Sequence, residues 1–327
     1  MNQTQDFTKG VIWKQLLFFF FPILIGRFFQ QLYKTADTII VGQTVGTSAL
    51  AAVGSTGNLT NLIINFYVGL STGASVVIAQ YYGAQNNKKI HQAVHTSYSL
   101  AIVSGILMML FGLFFSYQCL DAIGTPHDIL NDATLYMQLY FLCMIPGAIY
   151  NIGAGILRAV GDSKRPLYYL IVCSIVNVVF DFIFVVIFHQ GIAGAAIATV
   201  IAQFVCAILV TIQLMRTNEV YKLTLSKMKF HLPVLKKIIM IGAPAGIQST
   251  MYSISNIVLQ SHINAFGTQT IASWSVYVKI DALFWMMIAA IGAAITTFSG
   301  QNYGAHLHDR IKKGTRTALA MAFVMTI

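Results

Sequence analysis

With 57% apolar and only 9% charged residues, and a mean hydropathy of +0.71, this 327-residue chain falls outside the range of soluble globular proteins and belongs in a bilayer. The net charge of +10 does not indicate nucleic-acid binding, because the basic residues are scattered among short loops and no soluble domain exists to carry a groove reader. No Walker phosphate loop or Gly-x-Ser-x-Gly elbow is present, so neither ATP hydrolysis nor a membrane enzyme is expected.

Apolar runs long enough to cross about 30 Å of hydrocarbon begin with 11–41. No small-residue cleavage site follows it, so it reads as a retained helix and not a signal peptide. It contains Pro22, Arg27, Tyr33, Lys34 and Asp37. An ionisable group at membrane depth is costly, which makes Asp37 a functional candidate, with a local pair to Lys34 as the alternative. Arg27, about one turn past Pro22, either faces a cleft or snorkels.

The second run, 53–82, carries Asn61 and Asn65 and ends in Gln80-Tyr81-Tyr82-Gly83-Ala84. The third is 93–117; the fourth, 133–157, holds Tyr136, Tyr140 and Asn151. The fifth, 167–188, places Asn177 and Asp181 four residues apart on one helix face, where an amide can hold a carboxylate for a proton or a sodium ion. A helix-end position near the outer surface is the alternative for Asp181. The aromatics Tyr33, Tyr136, Tyr140 and Phe180 could stack on a flat cation or simply pack. A sixth run covers 192–215, and residues 216–237 form a basic polar linker. The seventh, 238–262, contains Pro244, Gln248, Asn256 and Gln260, each a cleft donor or interhelical glue. The eighth, 277–300, opens with Lys279 and Asp281 as interfacial anchors, and a ninth starts near Thr317. Cys119, Cys143, Cys173 and Cys206 show no CxxC spacing and read as packing residues.

The loops set an orientation. Lys88, Lys89, Arg158, Lys164, Arg165 and the linker lysines fall on one side, whereas 43–52, 118–132, 189–191 and 263–275 hold no Lys or Arg. By the positive-inside rule the N-terminus is cytoplasmic, and the basic loops are expected to meet anionic lipid.

The chain is also an internal repeat. Gln301-Asn302-Tyr303-Gly304-Ala305 restates residues 80–84 after 221 residues, Gly267-Thr268 answers Gly46-Thr47, and Pro244 answers Pro22 one residue out of step. Six crossings precede the second half, so the halves are parallel, with a pathway between them. The expected organisation is an all-α polytopic membrane protein with a six-helix N-lobe, 1–215, a linker, 216–237, and a partial second lobe, 238–327, of about two and a half helices of six. The offset would carry the remaining helices to roughly 354–436, so a fragment or truncated product is expected.

Leu32-Tyr33 with Ala36-Asp37-Thr38, the loop from Gly155 through Arg158 and Asp162 to Pro166, the Asn177 to Asp181 pair and the doubled Gln-x-Tyr-Gly-Ala together resemble the MATE family of multidrug and toxic compound extrusion transporters. The resemblance implies two six-helix lobes arranged as a V, exporting organic cations or drugs from the plasma membrane by antiport against protons or sodium. It assigns coupling-ion roles to Asp37, Asn177, Asp181 and Thr199, with no cofactor and no metal beyond sodium at the first three. Tyr33, Tyr136, Tyr140, Asn151, Gln248 and Asn256 are the candidate cleft residues, and a monomer is expected. A lipid-linked saccharide flippase, expected to show a strongly cationic cleft, and a non-transporting membrane scaffold are the alternatives.

Overall fold

The computed structural model describes the backbone of residues 4–264 and 268–326, with side chains there except those of 47–55, 58, 59, 62, 257, 260, 261, 264, 268–272, 275, 276 and 279. Gly267 and the side chains of Gln260 and Lys279 therefore lie outside the described residues. In chain order the helices are α1 (Ile12–Thr44), α2 (Thr47–Gly83), α3 (Asn87–Ala122), α4 (His127–Phe141), α5 (Met144–Ala159), α6 (Lys164–Asp181), α7 (Gly191–Arg216), α8 (Leu232–Asn264), α9 (Thr268–Gly304) and α10 (His308–Thr326). A π-helical turn, Phe182–Ile187, prolongs α6, and a 3-10 turn, Leu225–Lys227, lies in the linker.

The apolar runs are realised as helices, with two informative departures. The expected fourth crossing is two helices, α4 and α5, bent by 44°. Pro146 sits in the first turn of α5, where it has no N–H for the Leu142 carbonyl and its ring crowds that carbonyl, which favours a break there. Among the described residues, six helical stretches, or seven with this bent pair as one, are long and apolar enough to cross a membrane. The expected seventh run is not among them: α8 interleaves its Ile and Met with Gln248, Ser249, Thr250, Ser253, Ser255 and Asn256. It starts at Leu232, so the linker is shorter than 216–237.

Helix α8 packs closely on α2 because glycines remove the side chains between them. A Cβ on Gly69 would overlap the Gly246 backbone, and one on Gly73 would lie 2.7 Å from Gly242 Cα. Both pairs have the Gly-x-x-x-Gly spacing that lets membrane helices touch backbone to backbone. Helices α1 and α9 meet through larger side chains. Phe19, Phe20 and Ile23 pack with Ala290, Ala294 and Phe298 in one buried cluster that also takes in Phe7 and Ala318.

The repeat axis is visible at the basic-loop end of α2 and α9. A Cβ on Gly300 would stand 2.8 Å from that of Ala79, its own equivalent in the first half. A residue that meets its own counterpart marks a two-fold axis.

A strap of residues before α1 crosses this junction. The Gln5 amide donates to the Gly161 carbonyl at 3.0 Å. The Phe7 amide donates to Gln301 Oε1 at 3.1 Å, and its carbonyl accepts from Asn302 Nδ2 at 3.1 Å and Arg310 Nε at 2.9 Å. Gln301 Nε2 in turn donates to the Ala159 carbonyl at 2.8 Å, joining α9 to α5. The lobes are thus tied together on the basic-loop side.

Candidate functional site

Beyond that tie lies a cavity of about 550 Å³ between the lobes, reaching as far as Lys34 on α1, Asn61 on α2 and Met286 on α9. Its α1 wall is Pro22, Ile23 and Gly26 followed by Arg27, Gln30, Gln31 and Lys34. The last four stand at i, i+3, i+4 and i+7, so α1 turns a polar stripe to the cavity. Asn151 and Arg158, seven residues apart on α5, form a second stripe. Ser71 and Ser75 on α2 face the same space, their hydroxyls donating to the Asn151 and Gly155 carbonyls at 2.7 and 3.0 Å.

Of the six candidate cleft residues, Asn151 alone lines this cavity. Gln248 and Asn256 are exposed on α8 and lie outside its lining, because the face of α8 turned to α2 is the glycine face. Tyr33, Tyr136 and Tyr140 point into the interior of the first lobe, where the Tyr136 and Tyr140 rings stack at 6.1 Å. By sequence Arg158 groups with the loop charges; the structure places it at the last turn of α5, in the cavity wall. The signal that identifies it is the seven-residue spacing from Asn151, which puts both on one helix face.

The carboxylates form a second, separate site inside the first lobe. Asp181 closes α6 immediately before the π-helical turn and is wholly buried inside the protein. Helices α1, α6 and α7 bring together Asp37, Asp181, Asn177 and Thr199, with Asp37 and Asp181 within electrostatic range of each other and of Tyr136. Asn177 Nδ2 donates to Thr199 Oγ1 at 3.4 Å, and that hydroxyl donates to the Ala195 carbonyl at 3.1 Å. The amide therefore binds Thr199 and not, as its spacing suggested, the Asp181 carboxylate. Asp37 does not pair with Lys34: the ion pairs among the described residues are Arg165 with Asp162 and Lys312 with Asp309. Four buried oxygens, Asp37 Oδ1, Asn177 Oδ1 and both of Asp181, have no hydrogen-bond partner. Buried acceptors without donors are strongly disfavoured, so this oxygen set suits a proton or a hard monovalent cation.

Two repeats with a cavity between them and buried carboxylates in one lobe define a polytopic membrane protein of the transporter kind. The MatE family model matches residues 22–183 and again 244–327, the two matches opening at Pro22 and Pro244, and the chain belongs to that family. It is 27% identical to the probable multidrug resistance protein YoeA of Bacillus subtilis over 98% of this chain and 71% of that protein. The multidrug export protein MepA of Staphylococcus aureus is 22% identical, over 100% of this chain and 71% of its own length. Among solved structures, an outward-facing multidrug resistance MATE family transporter of the MOP superfamily superposes with a TM-score of 0.92 at 26% identity, covering 99% of this chain and 72% of the other. A MATE in the bent conformation gives 0.91, also at 26% identity, over 99% of this chain and 72% of the other.

Proposed function

We propose that this protein exports small amphiphilic molecules, drugs among them, by antiport against protons or sodium, with the coupling ion held at Asp37, Asn177, Asp181 and Thr199. The observation that carries this reading is the cluster of four unpartnered buried oxygens in the first lobe, set apart from the cavity that would hold the cargo. Loading those carboxylates with a proton or cation removes their mutual repulsion and lets the helices carrying them close up. That gives α1 and α6 two arrangements, and α1 also forms a cavity wall. The multidrug resistance named for YoeA and the multidrug export named for MepA support the same direction.

The positive-inside rule supports a cytoplasmic strap side, with the lysines near anionic lipid of the plasma membrane. The contacts at Gly83, Gly304 and Phe7 would then close the cytoplasmic side while the cavity serves the outer one.

The test is export from proteoliposomes of a panel of fluorescent drugs under an imposed pH or sodium gradient, comparing the parent chain with Asp37→Asn and Asp181→Asn. Both variants should lose gradient-driven export by about 100-fold while retaining cargo binding, since removing a charge that drives coupling need not alter the cavity. Export that ignores both gradients, or variants as active as the parent, would refute the reading.

A further inference from the structure

The cavity between the lobes differs in charge from the carboxylate site beside it. Three cations line it, Arg27, Lys34 and Arg158, and no Asp or Glu does. Nor does a carboxylate outside the lining neutralise them, because the described ion pairs involve Arg165 and Lys312. Both arginines line the same cavity, and Arg27 lies within electrostatic range of Arg158. Like charges gathered around one cavity repel, and an arriving anion relieves that repulsion while an arriving organic cation adds to it. The facing wall is of another character: Met286, Ala289, Gly292 and Ala293 of α9 offer an apolar surface without charge, followed by Thr296 and Thr297. A volume of about 550 Å³ accommodates a drug-sized molecule.

From this arrangement we infer that the cargo of the cavity is an amphiphilic anion, its phosphate or carboxylate held by Arg27 and Arg158 with Lys34 adding a third positive charge, and its apolar body laid on α9. The inference rests on the transporter reading above and names its substrate class. Two guanidinium forks match oxygen pairs of a carboxylate or phosphate through paired N–H donors, which a lysine cannot reproduce. The neutral amides of Gln30, Gln31 and Asn151 add orienting contacts without changing the sign of the field. The cationic cargo that the family resemblance implies would have to bind against that field.

Binding to the full chain in zwitterionic liposomes, with no gradient imposed, tests the proposal. Carboxyfluorescein, an organic anion, should bind at least about tenfold more tightly than ethidium. Arg27→Gln should weaken carboxyfluorescein by about tenfold, and Arg27→Lys should weaken it measurably although the charge is kept. Arg27→Glu should shift preference toward ethidium. Arg158→Lys provides the same comparison at the second fork without introducing a neutral group into the buried turn. Competition by dodecyl phosphate and by salicylate distinguishes a lipid phosphate from a soluble carboxylate as the source of the anion. Tighter binding of ethidium than of carboxyfluorescein to the folded parent, or carboxyfluorescein binding indifferent to every Arg27 variant, would overturn the inference. Anion binding with no gradient-driven export would uphold it while defeating the antiport reading; gradient-driven export of ethidium with no anion binding would do the reverse.

Discussion

Gly83 and Gly304 occupy equivalent places in the two repeats, and each lies against the other repeat's glutamine: a Cβ on Gly83 would overlap the Gln301 carbonyl oxygen, and one on Gly304 the Gln80 carbonyl oxygen. Such reciprocal contact, i to j and j to i, is the mark of an isologous interface, here formed within one chain. It explains why the motif is doubled: the two copies exist to touch each other. Cysteines introduced as Ala79→Cys and Gly300→Cys, beside this contact, should form a disulfide spontaneously, since their Cβ positions are 2.8 Å apart and a small outward shift gives the bridge's roughly 3.5–4.5 Å spacing. Adding Gly83→Val to that pair should sharply lower the yield, because overpacking a backbone contact costs about 1–3 kcal/mol. Cross-linking that is unchanged by the valine would mean that the two motifs do not meet.

Phe7 is the plug of the strap, with no exposed surface and edge-on contacts to Phe19 at 5.1 Å and Phe298 at 5.9 Å. Phe7→Ala should cost about 3–5 kcal/mol of the local packing and free residues 4–10 from the junction. Faster tryptic cleavage at Lys9, with the helices still protected, is the expected readout. Equal cleavage rates in parent and variant would show that the hydrogen bonds to Gln301, Asn302 and Arg310 hold the strap without the ring.

Asp162 organises the turn between α5 and α6. Its Oδ1 accepts from the amides of Lys164 and Arg165, each at 3.1 Å, and its Oδ2 lies 3.2 Å from an Arg165 guanidinium nitrogen. The side chain thus caps α6, while Gly161, at φ +90°, leaves room for the strap carbonyl of Gln5. Asp162→Ala should lower stability by about 0.5–2 kcal/mol, seen as a reduced melting temperature in detergent, and Asp162→Asn by less, since an amide oxygen also caps. An unchanged melting temperature for the alanine variant would exclude the capping role.

The helices, the repeat and the Asp37 to Asp181 grouping were legible in the sequence because each depends on local periodicity or on one expensive residue at depth. The stripe of Arg27, Gln30, Gln31 and Lys34 was equally legible by spacing, yet read residue by residue its members look like anchors and glue. What the sequence could not display is which face of a helix meets which neighbour. Gln248 and Asn256 lost their place in the cleft to a glycine face whose partner, Gly69 with Gly73, lies far away in the chain. Arg158 looked like a loop charge because it ends a hydrophobic run, and only the close approach of α5, α1 and α9 makes that end a cavity wall. The strap escaped notice altogether, since seven residues without periodicity carry no signal until Gln301 and Arg310 supply their partners.

Gly69 and Gly292 lead to opposite expectations for the same substitution. Gly69 touches the Gly246 backbone, whereas a Cβ on Gly292 would meet nothing within 4 Å, and Gly292 lines the cavity. Gly69→Val must push α8 off α2 and should lower the melting temperature markedly. Gly292→Val has open space to fill, so the fold should be unaffected while the cavity narrows by roughly three methyl-sized groups, each a few tens of Å³. Binding of bulky ligands should therefore weaken more than that of compact ones bearing the same charged group. A Gly292→Val protein that melts as early as the Gly69 variant would show that α9 packs more tightly there than the open cavity allows. A stable one that binds large and small ligands as the parent does would place the ligand away from the α9 wall.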